Sequence, residues 1–323
     1  MTTASGGPPI SSLSSTTDNP GPSTGTNGPL ARTSQELHAP TARGAGGPPK
    51  SSLTNTTDNP DPSTGTNGPF ARTPFHLAEM TTIEAAEAVA AGTVVIIPAG
   101  AFEQHGPGMP LATDLVRAEG VVDRVVTRLD GAAVVGPAIP VGVSPHHLAF
   151  AGTVTFTTTT FAAVVREYVD SLYRHGWRKI LVVTGHGGNN AALTAVGQDL
   201  LTTHPELQFA WTPVTPLAKG SLPPHNEVHG HGGEAETAQM LYLAPETVRR
   251  DQLTRGTTTL AELSPVARLA RRDGHPSLTI RYDQLSPIGI LGDPTTATAE
   301  AGQSIVDAVV TRIADYVTEW LAT

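Results

Sequence analysis

Apolar residues along this chain fall into short unbroken runs, separated by longer stretches with helical spacing. "TVVIIPAG", from Thr93 to Gly100, is apolar after its first residue and closes with Pro and Gly, the pattern of a strand buried on both faces. "AAVVGPAIPVG" from Ala132, "RKILVVTG" from Arg178 and "QFAWTPV" from Gln208 repeat that pattern. Between them the period lengthens. "TTIEAAEAVAAG" predicts an Ala-rich helix with Thr81 or Thr82 as N-cap and Gly92 just past its end. "TDLVRAEGVVDRVVTRL" is amphipathic, with Asp114 in its first turn. "FAAVVREYVDSLYRHG", "HGGNNAALTAVGQDLLTTH", "GGEAETAQMLYL" and "AEAGQSIVDAVVTRIADYVTEWLA" read as further helices, and "TVTFTTTTF" from Thr153 as a β-rich stretch. Strands alternating with helices predict an α/β fold, a three-layer α/β/α arrangement with a central, mainly parallel sheet. In such sheets the functional loops lie at the carboxyl ends of the strands. The polar motifs fall there: "EQHG" follows "VVIIPAG", and "GHGGNN" follows "ILVVT".

The first seventy-odd residues lack either period. "GGPPISSLSSTTDNPGPSTGTNGPLART" from Gly6 recurs as "GGPPKSSLTNTTDNPDPSTGTNGPFART" from Gly46. A solenoid unit carries periodic apolar positions; these copies hold few large apolar side chains and much Gly, Pro, Ser and Thr. Residues 1–73 are therefore expected to be a disordered tail with a tandem repeat, and residues 74–323 one folded domain. That leaves about 250 residues, enough for one sizeable core.

Composition narrows the chemistry. The 323 residues contain no cysteine, which excludes disulfides, thiolate nucleophiles and Cys-ligated metals, and fits a cytoplasmic protein. A formal charge of -9 disfavours nucleic acid as a partner. No apolar run approaches the roughly 18 residues of a membrane span, and no basic segment precedes an apolar one at the N-terminus, so neither a membrane nor a signal peptide is expected.

Three clusters carry candidate chemistry. In "PAGAFEQHGPGMPLATD", Glu103 and His105 are two residues apart at a strand end, so extended backbone would point both to one side. Asp114 follows at a helix start, where a carboxylate either interacts with the helix dipole or serves a site. In "TGHGGNN", His186 sits among three glycines that permit tight turns and close approach of a ligand. This loop is neither a Walker nor a dinucleotide motif, and no nearby Lys or Arg would hold a phosphate. In "HNEVHGHGGEAETAQML", three His and three Glu fall between His225 and Glu236. With a helix starting near Gly233, Glu234 and Glu236 lie about 200° apart. Glu236 shares the apolar face with Met240 and Leu243 and is expected to point inward; Glu234 is expected to be a solvated first-turn carboxylate. Mixed imidazole and carboxylate ligation suits zinc, manganese or iron. A carboxylate shared between two such ions makes a two-metal hydrolase site. No G-x-S-x-G elbow supports a serine route.

Together, "PAGAFEQHGPGMPLATD", "SPHHLAFAGTVTF", "TGHGGNN", "HGGEAETAQML" and "GILGDPTTATAEAG", in this order, resemble the creatininase family. The resemblance runs from about Leu77 to the C-terminus. It implies an α/β fold, usually hexameric, and a dinuclear centre that hydrolyses C–N bonds. By position, Glu103, Asp114 and His186 would bind one divalent ion, and His105 and Asp114 the other, with Asp114 bridging. His231 would be the proton donor to the leaving nitrogen, and His147, Gly187, Gly188 and Asn189 would lie against the substrate. The chain departs from the family pattern in three places. Gly188 stands where creatininase has a ligating Glu, so Glu236 is expected to supply that carboxylate and to join His231 in catalysis. Gly230 replaces a Glu before His231, and Gly108 replaces a His that follows "EQHGP" in most relatives. These changes argue against creatinine itself. Relatives also deformylate a formamidopyrimidine or trim a C-terminal dipeptide from the mycofactocin precursor, so the substrate is expected to be a small-molecule or peptide amide. A non-catalytic, metal-depleted adaptor is the competing reading, favoured by Gly188 and Gly230. By the same resemblance, "HHLAF" and the loop from Thr215 to His229 are expected at subunit contacts.

Overall fold

The structure, a computed structural model, describes residues 75–272 and 274–323; the tandem repeat and the expected domain boundary lie outside them. Strand β1 (Val94–Ala99) pairs with β2 (Ala133–Val135) on one side and β3 (Lys179–Thr184) on the other, and β4 (Gln208–Pro213) lies outside β3. All three pairings are parallel, with Ile96 opposite both Val135 and Leu181. Parallel neighbours require crossovers, and helices supply them: α2 (Thr113–Leu129) between β1 and β2, α3 (Thr158–Arg174) between β2 and β3, and α4 (Asn190–Thr203) between β3 and β4. Helix α1 (Thr82–Ala90) precedes β1 and starts at a capping box between Thr81 and Glu84. The chain continues through α5 (Val214–Leu217), α6 (Glu234–Leu243) and α7 (Pro265–Ala270) to the long α8 (Ala299–Leu321).

Burial on both faces follows from the unbroken apolar runs. Val94 and Ile96 of β1 join Leu181 and Val183 of β3 in packing against α2, α6 and α8, through residues such as Val121, Val125, Ala238, Ile305 and Val309. Val95, Ile97, Ile180 and Val182 face the other way, onto Phe161, Val165 and Val169 of α3 and Leu193 and Val196 of α4. The expected three-layer α/β/α arrangement is therefore the observed one. Among the described residues no helix is long and apolar enough to cross a membrane.

Two extended segments are shorter than their composition predicts. The run from Ala132 forms regular strand only over Ala133–Val135, because Pro137 has no N–H to donate to a ladder. Beyond it the chain follows β1 loosely, with Gly136 N donating to the Ile96 carbonyl (2.8 Å) and Ile139 N to the Pro98 carbonyl (2.9 Å). "TVTFTTTTF" is not a strand: Val154 makes one antiparallel bridge with Phe102, and α3 begins at Thr158. Thr157 accepts from Thr160 N (3.1 Å), so threonine acts here as an N-cap rather than a β-former.

Candidate metal centre

The strands of this sheet all run in one direction, so the loops after β1, β2 and β3 leave from one edge. Glu103 and His105 leave β1 on the first loop, His147 closes a short 3₁₀ turn (Pro145–His147) after β2, and His186 follows β3 directly. Gly185 lets that edge close. A Cβ there would overlap the Asp114 backbone, so only glycine allows the end of β3 to touch the start of α2. Asp114 occupies the first turn of α2, but Ala112 is the N-cap residue and no side chain caps the helix; the carboxylate points into the site.

The side chains that converge are deeply buried. Glu103 is 0% exposed, His105 1%, Asp114 1% and His186 5%. His186 Nδ1 lies 3.3 Å from Glu103 Oε1 and 3.2 Å from Asp114 Oδ2. His105 Nε2 lies 3.4 Å from Asp114 Oδ1 and 3.5 Å from Glu236 Oε2. The two oxygens of Asp114 therefore face two different donor sets. Glu103 Oε1, Glu103 Oε2, His105 Nε2 and Asp114 Oδ2 are buried and have no hydrogen-bond partner. Leaving such atoms unsatisfied is costly unless something else binds them. Two donors at about 2.1 Å from one tetrahedral ion stand about 3.4 Å apart, which is the spacing seen here. The imidazoles are also oriented for ligation. His105 Nδ1 donates to the Glu103 carbonyl (3.2 Å) and His186 Nε2 to the Val143 carbonyl (3.0 Å), so in each ring the opposite nitrogen is the one turned to the carboxylates. Three groups lie close enough together to hold a divalent ion: His105, Asp114 and Glu236; Glu103, His146 and His186, with Asp114 Oδ2 also against His186 Nδ1; and Glu103, His105 and His231.

Electrostatics agree with a site built for cations. Burial opposes charge on His105, but Asp114 and Glu236 outweigh it and push its pKa up to about 10. Burial likewise opposes charge on His186, yet Glu103 and Asp114 raise it well above the usual range. For Glu236, burial acts upward, and Arg117 and His105 overcome it to hold the carboxyl at about 2.

A wall of rings closes the centre. His231 lies 3.4 Å from Glu103 Oε1 through Nδ1, while its Nε2 donates to the Gln104 carbonyl (2.6 Å). Burial, then the charge on His105, depresses its pKa to about 4. His147 Nδ1 accepts from the Gln104 amide (2.9 Å), and its Nε2 points at Glu103 Oε1 (3.6 Å). The Tyr282 ring packs on His147 and edge-on to His231, with centroids 4.2 and 5.3 Å apart. Beyond Tyr282, a cleft of about 750 Å³ is lined by His146, Gly187, Arg271 and the chain from Ser277 to Leu285.

The structure corrects two sequence readings. Glu234 is not solvated: it is 4% exposed, accepts from the Asn226 side chain and from Asp293 N (3.0 Å), and braces the loop before α6 against Gly292. The first turn of α6 is itself covered by chain, so both acidic residues point inward, in different directions. Asn189 is not free to bind substrate. Its Oδ1 accepts from Val143 N (3.0 Å), and its Nδ2 donates to the Gly100 carbonyl (2.9 Å) and to Thr184 Oγ1 (3.1 Å). Gly188 packs so closely on the His186 ring and the Val143 carbonyl that no side chain fits there, whereas Gly187 is open. Glu236 stands beside His105 and Asp114 instead. At Gly108, the space for a side chain is filled by Leu253 and the Arg249 carbonyl.

Arg117, Gln104, His146 and Tyr282 were not expected at the centre. Arg117 had a readable signal: it falls in the apolar stripe of α2, between Asp114 and Val121. Tyr282 comes from an irregular stretch without periodicity and offered none.

A family model for creatininase (creatinine amidohydrolase) matches residues 78–317. The chain is 36% identical over 233 residues to the mycofactocin precursor peptide peptidase of Mycolicibacterium smegmatis, covering 70% of this chain and 85% of that protein. It is 28% identical over 273 residues to the creatinine amidohydrolase of Pseudomonas putida, covering 75% and 96%. The solved structure named "Creatininase Mn" superposes with a TM-score of 0.63 at 25% identity, covering 76% of this chain and 98% of that one. The chain belongs to the creatininase family of hydrolases, which act on carbon–nitrogen bonds.

Proposed function

We propose that this protein is a dinuclear metal-dependent amidohydrolase whose substrate is a peptide amide. The observation that carries the reading is the convergence of buried donor atoms without protein partners, Glu103 Oε1 and Oε2, His105 Nε2 and Asp114 Oδ2, from separate segments of the chain. A pair of divalent ions, zinc, manganese or iron, would supply an activated water at neutral pH and polarise the carbonyl under attack. The protein's own residues do the rest. Asp114 presents one oxygen to each donor set and so fixes their separation. Glu236 fills the role that Gly188 cannot. His231, held neutral by burial, has an unprotonated Nδ1 facing Glu103, because its Nε2–H is committed to the Gln104 carbonyl. It takes the proton released as the amide carbon is attacked and returns it to the leaving nitrogen. Tyr282 packs on His147 beside the centre, and Gly187 and His146 line the neighbouring cleft.

One finding favours a peptide over creatinine: identity is higher to the peptidase (36%) than to the creatinine amidohydrolase (28%). The test uses the full chain loaded with Mn²⁺ or Zn²⁺, against creatinine, a formamidopyrimidine and short peptide amides. Peptide cleavage is expected, and no turnover of any of the three would overturn the reading. His231→Asn should lower kcat by about 10²–10⁴ with metal content unchanged. The adaptor reading rests on Gly230 and Gly188; a chain without bound metal by elemental analysis would favour it. A cytoplasmic location and a hexamer complete the proposal. Leu148, within "HHLAF", is 56% exposed, as an apolar residue at a subunit contact would be in the isolated chain. Light scattering that gave a monomer mass would contradict the hexamer.

A further inference from the structure

We infer that His146 is a further ligand of the metal position built on Glu103, Asp114 and His186, reaching it from the side of the cleft. This rests on the metal-dependent reading above and adds a protein donor to it. The chain after β2 explains how the residue arrives there. Val143 and Ser144 hold His186 from behind: its Nε2 donates to the Val143 carbonyl (3.0 Å) and lies 3.3 Å from Ser144 Oγ. Pro145 then opens the 3₁₀ turn Pro145–His147. Successive side chains on such a turn diverge by about 120°. His147 therefore faces the Gln104 amide (2.9 Å), while His146 lines the cleft and lies alongside His186.

Three observations point to ligation. A ring nitrogen of His146, a ring nitrogen of His186 and a carboxylate oxygen of Glu103 all lie within 4.8 Å of one another. The rings of His146 and His186 are nearly parallel, 6° apart, with centroids separated by 5.7 Å. Two imidazoles bonded at about 2.1 Å to one tetrahedral ion hold their centres roughly 5–6 Å apart, so the observed separation is one that a shared ion would set. Finally, His105, His147, His186 and His231 each spend a ring nitrogen on a hydrogen bond within the protein. Among the described residues His146 has such a partner on neither nitrogen. It is half-buried and packs on the rings of His147 (4.4 Å) and Tyr282 (5.0 Å). A ring without an anchoring hydrogen bond can rotate by the small amount that brings donors to the spacing of about 3.4 Å around a tetrahedral ion. The anchored donors fix the position, and the unanchored one at the cleft can move on and off the ion.

The test is metal exchange in the full-length protein loaded with Co²⁺, whose visible bands report its ligands. His146→Phe keeps a ring against Tyr282 but cannot ligate. It should change the visible bands and lose Co²⁺ to a chelator at least tenfold faster than the wild type, with the thermal midpoint of the metal-free protein unchanged. His146→Glu restores a ligating atom and should bring the rate back toward that of the wild type. His146 is not part of the His105–Asp114–Glu236 group, so the effect should persist in a Glu236→Gln background. Should His146→Phe fail to fold, His146→Ala carries the same expectation. Unchanged bands and exchange rate, or an effect that vanishes in the Glu236→Gln background, would overturn the inference while leaving the metal-dependent reading intact. A wild type that binds no Co²⁺, Mn²⁺ or Zn²⁺ would overturn both.

Discussion

A buried charge without a partner costs several kcal/mol, and this centre gathers three carboxylates in one place. Arg117, His105 and His186 are what balance them in the protein itself. The balance has a pH signature in the chelated protein. The folded pKa of Glu236 lies at about 2, below its ordinary value of 4.5, so its contribution to stability is complete above the ordinary value and disappears as pH falls toward the folded one. His105 has the opposite sign: raised to about 10 from 6.5, it contributes fully below the ordinary value and loses that contribution as pH rises through the folded one. The urea midpoint of the metal-free wild type should therefore exceed that of Glu236→Gln near neutrality, and the gap should close at the acid end. A gap that stayed constant with pH would show that Glu236 is not ionised by its surroundings. Of the centre's residues, Glu103, His105, Asp114 and His186 were legible in polar motifs that follow apolar runs, and His231 through the family resemblance. Arg117 was missed although it falls in the apolar stripe of α2, because a lone arginine in a helix is ordinarily solvent-exposed and its partners are shown only by packing.

At the level of elements, the site depends on one close approach and on a buried central strand. Gly185 brings the end of β3 against the first turn of α2, and β1 is buried on both faces. Gly185→Ala would force the Asp114 backbone away, separating the two halves of the donor set. Metal retention after dialysis should fall while the far-UV spectrum stays unchanged; full retention would mean that α2 can shift at no cost to the site. Ile97, at 0% exposure in the middle of β1, tests the core on its own. Ile97→Ala should destabilise the fold by about 2–5 kcal/mol, read as a lower urea midpoint with unchanged metal stoichiometry. Strands and long helices were readable because period and burial coincide in them. The exceptions have local causes: proline ended β2 early, and threonine served as a cap before α3.

For the whole molecule, the repeat-containing segment of residues 1–73 is proposed to be dispensable for the chemistry. The donor atoms, the sheet and the ring wall all fall within residues 75–323. Deleting residues 1–72 should leave the thermal midpoint and kcat/KM unchanged. A loss of either would place part of the working domain in that segment.

Residue order by itself determined the layered α/β architecture, the edge of the sheet that carries the chemistry, and most of the ionisable groups at the centre. It did so because strand and helix periods, glycine turns and short polar motifs are local signals. The tertiary structure alone decided which oxygen of Asp114 meets which imidazole, that Glu234 braces a loop while Glu236 reaches the ligands, and that Asn189 is consumed by backbone. It also placed Arg117 between Asp114 and Glu236. Most of these contacts join residues tens of positions apart, and the geometry of all of them is fixed by packing, which no single stretch of sequence encodes.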